Sequence, residues 1–174
     1  MPLITLPGPV EIDECMISAK IKGQHGRRPN PGTIVFGIRC RSTGLVLLFP
    51  VPNRSKETLL PILIEHVEEG ATVISDKYSS YVSRNNHSHI VDAGYQHYFI
   101  NHTYHFVDPV QNYIHTNSIE RTWRSFRSSI SQIKRSLSQE KVVPFIDMFK
   151  FFSYFNNDSL YEVLLQMMVV VISR

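Results

Sequence analysis

The sequence predicts a mixed α/β fold. Three observations carry that prediction: β-rich runs come first, helical apolar spacing fills the last third, and helical and strand segments alternate between them. Val10 to Ser18 alternates as a strand, with Val10, Ile12 and Met16 on one face and Asp13 pointing away from it. Thr33 to Cys40 and Leu45 to Phe49 are further β-rich runs, and Arg41-Ser-Thr-Gly44 between them has hairpin chemistry. Ser55 to Val67 follows with helical spacing at Leu59, Leu60, Leu63, Ile64 and Val67, with Ser55 and Thr58 as caps and Gly70 marking the end. Ala71 to Ser75 is a short apolar strand that delivers Asp76 at its C-terminal end. A brief helical stretch with Tyr78 and Tyr81 is expected next, and Tyr98 to Ile100 as a fifth strand.

From Asn117 to Leu137 the apolar positions Ile119, Trp123, Phe126, Ile130, Ile133 and Leu137 step by four and three, the spacing of one helix face. Val142 to Phe155 and Leu160 to Ile172 read as two more helices, divided by Asn156-Asn-Asp158. This order matches a ribonuclease-H-like core, a mixed five-stranded sheet flanked by helices, with extra C-terminal helices. Such a core carries one carboxylate on the first strand, one just beyond the fourth and one on the long helix after the fifth. Asp13, Asp76 and Glu120 occupy those places.

A chain of 174 residues with 43% hydrophobic content supports one core and one domain. The net charge of +3 and pI near 8.9 permit nucleic-acid binding without demanding it. Only Cys15 and Cys40 occur, which excludes a disulfide framework or four-cysteine zinc site and points to free thiols in an intracellular protein. The start, with three prolines before Val10 and no basic region, is not a signal peptide. The apolar run Val163 to Ile172 is interrupted by Gln166 and falls short of the roughly 20 residues that cross a bilayer, so no membrane partner is expected.

The blocks Val10-Glu-Ile-Asp-Glu14, Val35-Phe-Gly37, Arg54-Ser-Lys-Glu-Thr-Leu-Leu-Pro61, Ser75-Asp76 with Tyr81, Asn101-His102, Phe106-Val-Asp-Pro109 and His115-Thr-Asn-Ser-Ile-Glu-Arg-Thr-Trp123 occur in this order. Together they resemble the ISXO-two-like insertion-sequence transposases and their eukaryotic relatives, the Merlin superfamily, from about residue 10 to 155. The resemblance implies a DDE transposase catalytic domain over 10–155, with an N-terminal extension over 1–9 and a C-terminal helix over 156–174. It implies metal-dependent DNA strand cleavage and 3′-hydroxyl strand transfer at transposon ends, with two Mg²⁺ or Mn²⁺ ions per site and no small-molecule cofactor. The implied partners are transposon-end and target DNA, bound as a homo-oligomer, in the nucleus of a eukaryote or otherwise the cytoplasm. The chain departs from the family in having Tyr78 where Trp is usual, and in a turn, Gln111-Asn-Tyr-Ile114, that lacks the common glycine. It also begins about ten residues before Asp13, where family members usually carry a zinc-binding or helix-turn-helix region. Either the sequence is a fragment of a longer protein or end recognition is lost or supplied by a partner, and the latter motivates a rival expectation, a domesticated or decayed derivative that binds DNA or a partner without cleaving it.

On the transposase reading Asp13 bridges the metals while Asp76 and Glu120 each complete one site, and three carboxylates repel one another when no metal is present. Each residue also has a plainer role available. Asp76 at a strand end is placed to cap a following helix. Asn117-Ser-Ile-Glu120 has the spacing of a capping box, and Asn117 is an alternative third ligand. Glu14 faces the other side of the strand from Asp13, which makes it a poorer ligand.

Glu120, Arg124, Arg127, Ser131 and Lys134 form a stripe beside the Trp123 face, placed to grip DNA phosphates or to stand as a solvated helix face. Lys20, Lys22, His25, Arg27 and Arg28 put positive charge in the loop after the first strand, placed to track a DNA backbone or to stand as an ordinary polar loop. His97, His102, His105 and His115 have no cysteine with them, so hydrogen bonding is expected rather than zinc; His115 is assigned to ligand orientation or phosphate contact. Tyr78 and Tyr81 are candidates for stacking on a flipped base, against a plain core role.

Overall fold

Period-two alternation along three strands decides the architecture, because each strand sends apolar side chains to both faces and so needs cover on both. The structure, a computed structural model, describes residues 4–17, 32–101, 112–131 and 139–154. Its elements run β1 (Val10–Ile17), β2 (Thr33–Cys40), β3 (Val46–Val51), α1 (Lys56–His66), β4 (Thr72–Asp76), α2 (His89–Asp92), β5 (Gln96–Ile100), α3 (Asn117–Ser131) and α4 (Gln139–Tyr154). The sheet order is β3-β2-β1-β4-β5, with β1, β2 and β3 antiparallel in turn and β4 and β5 parallel to β1. This is the predicted ribonuclease-H-like arrangement, an antiparallel meander extended by parallel crossovers. The predicted helix over Leu160 to Ile172 and the end of the long helix beyond Ser131 lie outside the described residues.

Val10, Ile12, Phe36, Ile38 and Val73 pack with Leu59 and Leu63 of α1 on one face of the sheet. Cys15, Ile17, Val35, Val46 and Leu48 pack on the other with Ile119, Trp123 and Phe126 of α3 and Phe145, Ile146 and Phe149 of α4. Adjacent residues of one strand thus serve different cores. Leu6, ahead of β1, is fully buried in the first cluster and bridges in parallel to Val67, with Leu6 N–H donating to His66 O at 2.8 Å and Leu6 O accepting from Glu68 N–H at 3.0 Å. Met16 keeps the parity of Val10 and Ile12, but stands near the end of the β1–β2 ladder and is 58% exposed.

The predicted helical stretch at Tyr78 and Tyr81 is absent. Asp76 Oδ1 accepts the Tyr78 N–H at 3.0 Å, and a single turn from Tyr78 O to Tyr81 and Val82 ends where Val82 bridges Ser88. Side-chain capture of the backbone two residues on competes with helix formation. The short helix comes later, at α2, where Ser88 caps the Val91 N–H at 3.1 Å.

Gly37 on β2 lies opposite Asp13, and a methyl group there would meet the Trp123 ring at 2.5 and 2.6 Å and Ile119 at 3.2 Å. The missing side chain is the space that lets α3 settle onto the sheet. Gly37→Ala is therefore expected to lower stability by about 1–3 kcal/mol through overpacking, read from the midpoint of urea unfolding. An unchanged midpoint would show that α3 seats without that space.

Candidate active site

Strand register brings the first two predicted carboxylates together. The parallel β1–β4 pairing matches Val10 with Val73 and Glu11 with Ile74, so the same register two residues on sets Asp76 beside Asp13, both on the face toward α3. Asp13 Oδ1 accepts the Glu14 backbone N–H at 2.8 Å, and Oδ2 accepts the Trp123 indole N–H at 2.9 Å. Burial raises the Asp13 carboxyl to about 6, and the negative charges of Asp76 and Glu120 push the same way against those two hydrogen bonds. The three carboxylates are therefore electrostatic neighbours, each contributed by a different element.

Glu120 is held by the way α3 begins. The helix starts at Asn117, and Thr116 just before it donates from Oγ1 to Glu120 Oε1 at 2.9 Å while its carbonyl accepts the Glu120 N–H at 3.0 Å. The capping box expected from Asn117 to Glu120 does not form. Glu11, two residues before Asp13 and on the same face of β1, caps the helix instead: its Oε2 accepts the N–H groups of Ser118 at 2.9 Å and Ile119 at 2.8 Å. A carboxylate suits that place, since the first amides of a helix lack intrahelical partners and carry partial positive charge.

Glu11 Oε1 accepts from Arg41 Nε at 2.6 Å. The rest of the Arg41 fork donates to Tyr113 O and His115 O, each at 2.7 Å, and lies 3.1 Å from His115 Nδ1. Sequence reasoning assigned neither Glu11 nor Arg41. The available signal was strand parity, which puts Glu11 on Asp13's face.

The opposite face of β1 carries a second polar knot. Glu14 accepts from Arg54 Nε at 2.9 Å and Nη2 at 2.6 Å on one oxygen, and from the Tyr81 hydroxyl on the other. Burial lifts the Glu14 carboxyl to about 7 against the pull of Arg54. The Arg54 guanidinium stacks 4.3 Å over the Tyr78 ring, and its backbone carbonyl accepts from Ser80. The knot thus clasps the turn that leaves Asp76. Tyr81 is buried in it, which removes Tyr81 as a base-stacking platform; Tyr78 stacks on Arg54. Asp76 caps no helix, since its carboxylate closes the turn instead.

Arg124 and Arg127 are exposed on α3, and Arg127 interacts with Cys15, so it reaches the Asp13 face of β1. Asn117 is exposed at the helix start, with its backbone N–H 3.3 Å from His115 Nδ1. His97 is half-buried between the Ser75 and Ser88 hydroxyls at 2.9 and 2.7 Å, and desolvation holds it near pKa 4, neutral and hydrogen-bonded as expected. His102, His105, Lys20, Lys22, Arg27, Arg28 and Lys134 lie outside the described residues. Among the described residues, the His, Cys, Asp and Glu group whose ligand atoms all lie within 4.8 Å of one another is His87, His89 and Asp92 rather than the three carboxylates, and there His87 and Asp92 already close on each other at 2.7 Å in an exposed hydrogen bond.

Carboxylate oxygens suit a hard divalent cation such as Mg²⁺ or Mn²⁺, and each Asp13 oxygen keeps acceptor capacity beyond its single hydrogen bond. The raised Asp13 carboxyl has a consequence for metal-free stability. Its pKa in the fold, about 6, exceeds the ordinary 3.8, so between those values the folded chain holds more proton than the unfolded one. Stability from this group is present at low pH and is lost as pH rises through that window. Denaturant unfolding of wild type and Asp13→Asn is expected to show the wild type losing ground to the variant between about pH 4 and 6. A constant difference across that range would mean that the Asp13 carboxyl is not raised in the fold.

A comparison with curated proteins gives no significant match. Among solved structures, the chain is similar to one in a cryo-electron microscopy structure of the simian T-cell lymphotropic virus intasome in complex with the PP2A regulatory subunit B56 gamma, with a TM-score of 0.48 and 11% identity. That match covers 83% of this chain, which spans about half (48%) of the viral one. Residues 5–153 match the family model described as the ISXO2-like transposase domain, a span that includes β1 through almost all of α4 and all three carboxylates. The chain belongs to the ISXO2-like transposase domain family.

Proposed function

We propose that this domain cleaves and joins DNA strands at transposon ends, with Asp13, Asp76 and Glu120 holding two Mg²⁺ or Mn²⁺ ions. The observation that carries the reading is that strand register sets Asp76 beside Asp13 and that the charges of both Asp76 and Glu120 act on Asp13, in a chain of the ISXO2-like transposase domain family. Divalent ions in such a site supply an activated water or 3′-hydroxyl nucleophile and stabilise charge on the leaving oxygen. The chain's own groups bind and orient. The Trp123 indole N–H holds one Asp13 oxygen, and the Thr116 hydroxyl holds one Glu120 oxygen. The turn after β4, clasped through Tyr81 and Glu14, fixes the carboxylate of Asp76. Glu120 takes precedence over Asn117 as third ligand because Glu120 shares the electrostatic field of Asp13 and Asn117 contributes no charge.

Arg124 and Arg127 extend from this site along exposed α3 and are assigned to DNA phosphates, with His115 at the helix start. Lys20, Lys22, Arg27, Arg28 and Lys134 are assigned the same role from their charge. Two DNA ends joined in one event call for a homo-oligomer on DNA.

Mn²⁺-dependent nicking of end-containing DNA is expected to fall to the no-enzyme level in Asp13→Asn, Asp76→Asn and Glu120→Gln while DNA binding survives. Full nicking by folded Asp13→Asn would defeat the proposal. Binding by wild type without cleavage under either metal would favour a non-cleaving, domesticated role. Replacing Arg124 and Arg127 with Ala is expected to weaken DNA binding on all sequences and to flatten the salt dependence by about one unit of log–log slope for each arginine removed. An unchanged slope would remove these arginines from the DNA surface.

A further inference from the structure

We propose that Glu11 is a positioning residue for the carboxylate site: with Arg41 it fixes the start of α3 on β1 and so sets where Glu120 stands relative to Asp13. The inference rests on the metal-site reading above and adds to it a residue that touches neither metal nor DNA.

The geometry is that of a short clamp between two ligand-bearing elements. Glu11 lies two residues before Asp13 on the same strand face, and Ile119, whose N–H it accepts at 2.8 Å, immediately precedes Glu120. No flexible segment separates clamp from ligand on either side. Glu11 is fully buried, and each of its oxygens is engaged, Oε2 by two helix amides and Oε1 by Arg41. Arg41 carries the clamp further, since its fork also binds the carbonyls of Tyr113 and His115 in the segment that leads into the helix. A neutral helix cap would satisfy the same two amides. Only an acceptor on both ends satisfies the amides and the guanidinium together, because a carboxylate has no donor to turn toward either.

Glu11→Gln keeps the size but must aim an NH₂ group at Arg41 or at the helix amides, so one end of the clamp opens. Displacement of Glu120 by even a fraction of an ångström then loosens a site that needs three groups at once, and supporting residues of this kind change metal affinity without touching the metal.

Trp123 supplies the second readout, because it is the only tryptophan of the chain and its indole donates to Asp13 from the same helix. The test compares wild type, Glu11→Gln and Glu120→Gln by Trp123 emission and acrylamide quenching without metal, and by Mn²⁺ affinity in titration calorimetry, with circular dichroism to establish folding. Glu11→Gln is expected to be folded, to quench more readily than wild type, and to bind Mn²⁺ about 10- to 100-fold more weakly. Glu120→Gln is expected to lose Mn²⁺ affinity with Trp123 unchanged.

A folded Glu11→Gln with wild-type quenching and wild-type affinity overturns the proposal. If Glu11→Gln does not fold, Arg41→Lys, which keeps the charge but not the fork, is expected to move both readouts the same way, and wild-type values there overturn it. Should wild type bind no Mn²⁺, only the metal-site reading falls. Quenching in Glu11→Gln then decides the seating of α3 alone, a wild-type value counting against it.

Discussion

A carboxylate fully shielded from solvent needs partners in the protein, and at Glu11 those partners come from separate stretches of chain. Two are amides at the start of α3, one is a guanidinium from the β2–β3 turn, and the carboxylate itself sits in the middle strand of the sheet. Losing one partner of a buried ion pair leaves an uncompensated charge, which typically costs about 3–5 kcal/mol. That penalty makes the pairing selective. The placement of α3 on β1 that satisfies Glu11 also brings the Trp123 indole over Gly37 to reach Asp13.

The two faces of β1 divide the work of building the site. Glu11 and Asp13 look toward α3, while Glu14 looks toward α1 and gathers Arg54 and Tyr81. The first group determines where the helix ligand stands; the second holds the turn that carries Asp76 away from β4. Apolar packing on either side, through Leu59 and Leu63 or through Phe126 and Phe145, supplies cohesion but cannot choose among nearby helix registers so sharply. Polar contacts with fixed geometry make that choice. Burial, with the charges of Asp76 and Glu120 adding to it, raises the Asp13 carboxyl, so the ionised group opposes folding where function is proposed.

Much of this was legible in the sequence because it depends on periodicity. The strands at Val10, Thr33 and Ala71 and the helix from Asn117 follow directly from alternation and three-four spacing, and the parity that puts Asp13 off the Val10–Ile12 face is a property of any strand. What could not be read is what depends on distant partners. Asn117 to Glu120 has the spacing of a local capping box, yet the helix takes its cap from Glu11, 107 residues back from Ser118. Tyr78 and Tyr81 have helical spacing, yet Asp76 captures the backbone first and Tyr81 is drawn to Glu14. Gly37 looks like an ordinary weak point in a strand until the indole that fills its space is known.

The measurement that bears most directly on the metal-site assignment is calorimetric titration of Mn²⁺ into the wild-type chain and into an Asp13→Asn/Asp76→Asn double variant, each checked by circular dichroism. Saturable binding by the wild type and none by a folded double variant is the expected result. Equal binding by both chains, or no binding by the wild type even with DNA present, would contradict the assignment of these carboxylates as a metal site.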